Sequence, residues 1–373
     1  MELSSEDSFR LNVLLANKPL AIRIDESRLT VHGLSERGEA KIQLNPSGRP
    51  EAYLRLVREL ISGHVLGSPG GYPVYLRRWT RMGQMRDESL EQLLLLGEPE
   101  AVVAAVHAPG LTDELARRAW WAMEDAENAR RMLDNPAVRS GAMGRVLADY
   151  LVEYLPFESE PEKAMESVRL VLQPALLDPE RRADLWKRSA RKPAHLLGFL
   201  YALPDELPDP EPQRRDADAV QQRLGGLLAS GDPCARLCER VLSGAGQCFL
   251  KTLGLFLSKP LSQELVASAF DLVRDYFGAL RPEGDPDLAL DALMDEARNF
   301  VSAPGPSSPA APCLAAAPEL TPDLAAMRVL SGAGYGVIRA YLVDSTASGS
   351  LMRRKLAPVL DPLQGQIELL RRR

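Results

Sequence analysis

The chain has 373 residues, about two and a half typical domain lengths, which is enough sequence for two or three hydrophobic cores. Hydrophobic residues at 45%, charged residues at 26% and a mean hydropathy of −0.17 exclude a fibrous, wholly disordered or membrane-embedded chain. The net charge of −6 lacks the Lys and Arg excess of phosphate-neutralising proteins, so nucleic acid is an unexpected partner for the molecule as a whole.

The amino terminus, Met1 to Asp7, is acidic where an export signal would be basic and then apolar. No apolar run approaches the roughly 18 residues of a membrane span. The longest, Cys248 to Leu257, is broken by Lys251 and followed by Lys259-Pro260, which predicts a buried helix. The expectation is a cytoplasmic protein with no membrane insertion. Its four cysteines, Cys234, Cys238, Cys248 and Cys313, are too sparse for a disulfide scaffold and read as thiols.

Strand signals are confined to residues 20–46. Leu20–Ile24, Arg28–His32 and Glu39–Leu44 alternate apolar with polar residues and predict a small antiparallel meander. A helix follows over Glu51–Ser62, with Tyr53, Leu54, Val57, Leu60 and Ile61 on one stripe, and Gly67 to Gly71 ends it. From Asp87 onward the periodicity is helical. Val146, Leu147, Tyr150, Leu151, Tyr154 and Leu155 form one apolar face, and Leu265, Val266, Ala269, Phe270, Val273, Tyr276 and Phe277 another.

Helix starts are expected at Asn135-Pro136, Asp178-Pro179, Asp232-Pro233, Asp285-Pro286, Thr321-Pro322 and Asp361-Pro362. Each sets a side-chain acceptor at the N-cap and proline at the first helical position. Many short antiparallel helices predict a mainly α fold, a HEAT-like stack or a bundle, beside the small meander.

Two proline-rich stretches read as linkers, 204–216 and 304–318. The expected organisation is then a meander, helix and Arg/aromatic arm over 1–86, a helical array over 87–203, a helical domain over 217–303 and C-terminal helices over 319–373. One repeat crosses the second linker: Arg240–Gly246 and Arg328–Gly334 both read RVLSGAG. It predicts a duplicated helical element whose small residues let helices approach closely, with the two copies packing on each other.

Few segments carry a signature of chemistry. Met327–Tyr341 has Gly332, Gly334 and Gly336 after an apolar run, but the third glycine comes one position early for a dinucleotide loop and Leu324–Met327 reads as helix. Close helix packing is the expected role. Cys234 and Cys238 share a helical face, with Cys248 ten residues beyond, yet no histidine lies nearby to complete a four-ligand set. No metal or other cofactor is expected. The three cysteines are candidate thiols for sulfur chemistry, against a plainer role as small buried hydrophobes. His32, His64, His107 and His195 are scattered, and neither HExxH nor a G-x-S-x-G elbow occurs, so no catalytic residues are assigned.

The arm at 72–86 gathers Arg77, Arg78, Arg81 and Arg86 around Tyr72, Tyr75 and Trp79, the composition of an interface anchor and also of a base-stacking surface. It is the expected partner surface, against a structural role in which the aromatics enter the core. Trp120 and Trp121 point about 100° apart on a helix. Both are expected mostly in the core, with one of them at a neighbouring interface.

Three segments carry a resemblance. Gly67–Leu133, Met165–Pro204 and the opening SEDSFRLNVLLAN resemble DsrS, the protein encoded with dissimilatory sulfite reductase in sulfur-oxidising bacteria. They cover roughly the first 205 residues. The resemblance implies a cytoplasmic accessory factor of sulfur oxidation and carries no catalytic or cofactor residues with it. The expected function is therefore a non-enzymatic accessory or regulatory protein acting through protein contacts. The alternatives are a cysteine-based sulfur-handling enzyme or carrier, and a nucleic-acid-linked regulator.

Overall fold

The computed structural model describes residues 2–67, 88–281, 288–305, 308–342 and 349–371. The Arg/aromatic arm at 72–86 and the helix start at Asp285-Pro286 lie outside the described residues. The fold is mainly helical with one three-stranded antiparallel sheet, as the sequence predicts. Two compact units are present, Met1–Tyr154 with Ala175–Leu177, and Leu155–Pro174 with Asp178–Arg373. The proline-rich stretches 204–216 and 304–318 both fall within the second unit. Among the described residues, no helix is long and apolar enough to cross a membrane.

The first unit opens with α1 (Ser5–Ala16), whose N-cap Ser4 accepts from the Asp7 N–H. Strands β1 (Ala21–Asp25), β2 (Thr30–Ser35) and β3 (Gly38–Gln43) follow, in the order β1-β2-β3. The second strand starts two residues later than its alternation predicts. Asp25 Oδ1 accepts from the Ser27 hydroxyl (2.7 Å) and the Arg28 N–H (2.9 Å), and Leu29 is left-handed, so the turn consumes the start of the apolar run. Helix α2 (Pro50–Leu66) packs with α1 on one core. Leu11, Leu14 and Leu15 meet Ile22, Val31 and Ile42 from the sheet and Tyr53, Leu54, Val57 and Ile61 from α2.

Among the described residues, six further helices belong to this unit: α3 (Glu88–Leu94), α4 (Pro99–Val106), α5 (Asp113–Ala122), α6 (Ala126–Asp134), α7 (Pro136–Arg139) and α8 (Ala142–Tyr154). Helices α3 and α5 pack on β1, where Arg23 bridges Gly97. Gly97 has φ +68°, and a Cβ there would stand 2.9 Å from Ile24 Cγ1, so both backbone and space require glycine. Leu147 and Leu151 of the expected α8 face are buried, whereas Val146 is 47% exposed. The buried stripe of α8 turns toward Met143, Gly144 and Ala148 instead.

The second unit runs through α9 (Pro161–Val171), α10 (Pro179–Ser189), α11 (Pro193–Ala202), α12 (Ala217–Ser230), α13 (Pro233–Leu242), α14 (Gly244–Leu257) and α15 (Gln263–Tyr276). After a 3-10 turn at Gly278–Leu280 come α16 (Leu290–Ser302), α17 (Ala311–Ala316), α18 (Thr321–Ser331), α19 (Tyr335–Leu342) and α20 (Gly349–Arg371). Every member of the apolar face predicted over 265–277 is buried. Across both units, the starts at Pro136, Pro179 and Pro233 are real, with Asn135, Asp178 and Asp232 accepting backbone N–H bonds from Ala137, Arg181 and Ala235.

Two expected starts differ. Thr321 is already the first residue of α18, its hydroxyl donating to the Pro318 carbonyl (2.7 Å) because the chain arrives from a 3-10 turn. Asp361-Pro362 lies inside α20, which continues through Pro358 and Pro362. Burial of Val359, Leu360, Leu363, Ile367 and Leu370 outweighs the hydrogen bonds those prolines remove.

The RVLSGAG repeat marks a structural duplication. Shifting the helices by the 88 residues between Arg240 and Arg328 sets α12 over α17, α13 over α18, α14 over α19 and α15 over α20. Each copy spans a helix-to-helix junction, and Ser243 and Ser331 each donate to the carbonyl of the arginine three residues before (2.7 Å in both). The arginines also match. Arg240 lies over the Tyr276 ring and grips Asp205 with two 2.7 Å bonds, while Arg328 lies over the Phe300 ring and grips Glu296. Gly244, Gly246 and Gly332 do not lie against the other copy, contrary to expectation. Gly244 lies against the Glu211 carbonyl, Gly246 against the end of α13, and Gly332 against Leu293 and Arg281.

Segment 204–216 ends on a buried charge. The Arg214 side chain has no exposure; it donates to Asp216 and to Asp323 of α18, and its Nη1 reaches the Leu370 carbonyl of α20 (3.4 Å).

Candidate thiol centre

Gly231 ends α12 in the left-handed conformation, and Asp232 then caps α13, its Oδ1 accepting from the Ala235 N–H at 2.8 Å. This tight corner fixes where the first turn of α13 points. Cys234 and Cys238 lie one turn apart and turn inward together, both with no exposure. Helix α17 brings Cys313 to the same place, also fully buried. The three sulfurs all lie within 4.8 Å of one another. The Cys313 thiol donates to Asp232 Oδ1 at 3.9 Å.

The sequence pairs Cys234 and Cys238 correctly but supplies the wrong third member. Cys248, in α14, is apart from them, its thiol donating to the Asp209 carbonyl at 2.8 Å. Cys313 goes unnoticed in the sequence because it sits in a Pro/Ala/Ser stretch that reads as linker. The repeat carries the missing signal, since its 88-residue register places 311–316 over α12 and so predicts a helix there.

Hydrogen bonding sets the protonation of the cluster. Cys313 is drawn down to about 5, first by the S–H of Cys234 and then by that of Cys238, which outweigh burial and the nearby Asp232 charge. Cys238 is pushed up by its bonds to Cys234 and Cys313 and by burial. Cys234 is lowered by Cys238, but its bond to Cys313 and its burial win and raise it. The negative charge left when the first proton departs is thus shared by three sulfurs acting together. Burial, aided by Glu211 and Asp209, raises Cys248.

The other candidates are accounted for structurally. Within the Gly332–Gly336 segment, Gly332 ends α18 and Tyr335 opens α19, so no strand-to-helix phosphate loop is formed. His195 is buried, with Nδ1 3.1 Å from Ser189 Oγ; that hydroxyl donates to the Leu185 carbonyl, so the imidazole N–H donates to it in turn. Burial, then Lys192 and Arg188, lower His195 to about 4 and keep it neutral. His32 contacts Glu39 (2.5 Å), His107 lies 2.8 Å from the Val103 carbonyl, and His64 is exposed. Trp120 is core, set edge-on to Tyr150 at 4.7 Å. Trp121 is half-buried beneath Arg23, its N–H donating to Glu39 on the outer side of the sheet. The partner-surface candidates Tyr72, Tyr75, Arg77, Arg78, Trp79, Arg81 and Arg86 lie outside the described residues.

Compared with known proteins, the chain matches no family model, no curated protein and no solved structure.

Proposed function

We propose that the protein is a non-enzymatic accessory or regulatory factor of dissimilatory sulfur oxidation, working in the cytoplasm through contacts with other proteins of that system. The resemblance to DsrS supplies the process and the location. The observation that carries the contact role is in α1, whose sequence is one of the three resembling segments. Its inner side fills the core with Leu11, Leu14 and Leu15, while Phe9 and Val13, one turn apart, remain 70% and 44% exposed. An apolar pair held in water on a well-anchored helix supports a role as a partner-facing surface.

Affinity capture from a sulfur-oxidising host tests this. The wild type retrieves sulfur-oxidation proteins, and a Phe9→Ala/Val13→Ala variant loses them. An Arg77→Ala/Arg78→Ala/Arg81→Ala variant reports on the arm in the same experiment. Retrieval of none by the wild type overturns the proposal. The sulfur-carrier reading needs an accessible thiolate, and burial of Cys234, Cys238 and Cys248 weighs against it.

A further inference from the structure

We propose that Cys234, Cys238 and Cys313 form a binding site for one thiophilic d10 cation, Zn2+ or Cu+, which ties α13 to α17. The inference stands apart from the sulfur-oxidation reading. Three of the four cysteines in a chain of 373 residues converge on one point, while the fourth is hydrogen-bonded elsewhere. Small buried hydrophobes have no reason to aim their sulfurs at a common centre. A soft cation supplies one, because thiolates select Cu+ and Zn2+ over hard cations.

The dimensions fit. Sulfurs 2.3 Å from a tetrahedral zinc are about 3.8 Å apart. The observed upper limit of 4.8 Å therefore asks for a contraction of at most about 1 Å per pair, within reach of small side-chain rotations. Asp232 lies beside the set. A carboxylate oxygen and a sulfur on one zinc are about 3.6 Å apart, and Asp232 Oδ1 is 3.9 Å from Cys313 Sγ. On binding, each sulfur that still carries a proton releases it to solvent, and all three donate an electron pair to the cation.

The two cations make different demands. Zinc takes four ligands and would draw on Asp232, whereas Cu+ is content with three sulfurs. The full-length, reduced, metal-free protein is titrated with Zn2+ against a fluorescent chelator and, without oxygen, with Cu+ against a colorimetric one. The expected result is one equivalent per chain for at least one of them. Cys238→Ser and Cys313→Ser each weaken binding by more than about 100-fold, beyond the loss of a mere supporting partner. Cys248→Ser leaves it unchanged. Asp232→Asn keeps the helix cap; it weakens zinc and spares copper.

Circular dichroism of each variant separates ligand loss from unfolding. Should Cys313→Ser fail to fold, Cys313→Ala and the number of sulfur neighbours seen by X-ray absorption in the metal-loaded wild type carry the same test. The proposal is overturned by less than one equivalent of both metals, by equal binding in wild type and a folded Cys313 variant, or by a disulfide from Cys313 with no metal uptake under reduction.

Discussion

Substituting Asp323 tests whether segment 204–216 is held by the buried charge at its end. The Arg214 guanidinium is shared by two carboxylates: Nε and Nη2 bond Asp216 at 2.7 and 3.0 Å, and Nη1 and Nη2 bond Asp323 at 2.5 and 3.3 Å. Arg214 and Asp323 are essentially without solvent, at 0% and 1% side-chain exposure. Breaking a buried pair by removing one partner costs about 3–5 kcal/mol. Asp216 stays in place after Asp323→Ala, so the lower end, about 3 kcal/mol, is expected. Asp323→Asn keeps an acceptor but loses the charge, and about half that cost is expected. The assay is urea unfolding, read as a lower midpoint with an unchanged slope. An Arg214→Met/Asp323→Leu double variant recovers most of the loss, because it removes the two fully buried charges together and leaves only the partly exposed Asp216 carboxylate, which water reaches. A change below about 0.5 kcal/mol for Asp323→Ala refutes the reasoning, since surface substitutions cost that little.

Other consequences are equally direct. His195 titrates at about 4 in the folded chain against 6.5 when free, so the unfolded chain takes up the proton first. Its contribution is complete above pH 6.5 and is lost as pH falls toward 4, about 2 kcal/mol between pH 7 and pH 5. Thermal melts of His195→Leu then show a shallower pH slope over that interval; an unchanged slope contradicts the assignment. Two glycines of α14 respond oppositely to alanine. At Gly246 a Cβ meets the Arg240 carbonyl at 2.1 Å and costs about 1–3 kcal/mol. At Gly254 the nearest atom is Ile367 Cγ2 at 4.0 Å, so alanine stabilises by up to about 1 kcal/mol, as equilibrium unfolding will show. In the first unit, Tyr53→Phe removes the hydroxyl that bonds buried Asp7 at 2.5 Å and lowers stability by about 2 kcal/mol in the same assay.

Local signals were most legible where local chemistry decides the outcome. Asn135, Asp178 and Asp232 cap helices because an acceptor followed by proline has few other uses, and the face over 265–277 is buried throughout because its period is unbroken. Asp361-Pro362 shows the limit: the same dipeptide sits inside α20, where tertiary burial decides. Val146 fails similarly, since periodicity gives a stripe but not the edge that faces the core. The thiol centre was half legible. Cys234 and Cys238 declare their shared face through spacing, whereas Cys313 reaches them only through the packing of α17, a short helix disguised by its composition.

The central claim is that three cysteines from two distant helices act as one centre. X-ray absorption at the metal edge of the loaded protein counts the sulfurs around the ion. The account predicts three sulfur neighbours at about 2.3 Å in the wild type, falling to two in the Cys313→Ser variant. A shell of oxygen and nitrogen alone, or an identical spectrum in that variant, contradicts it.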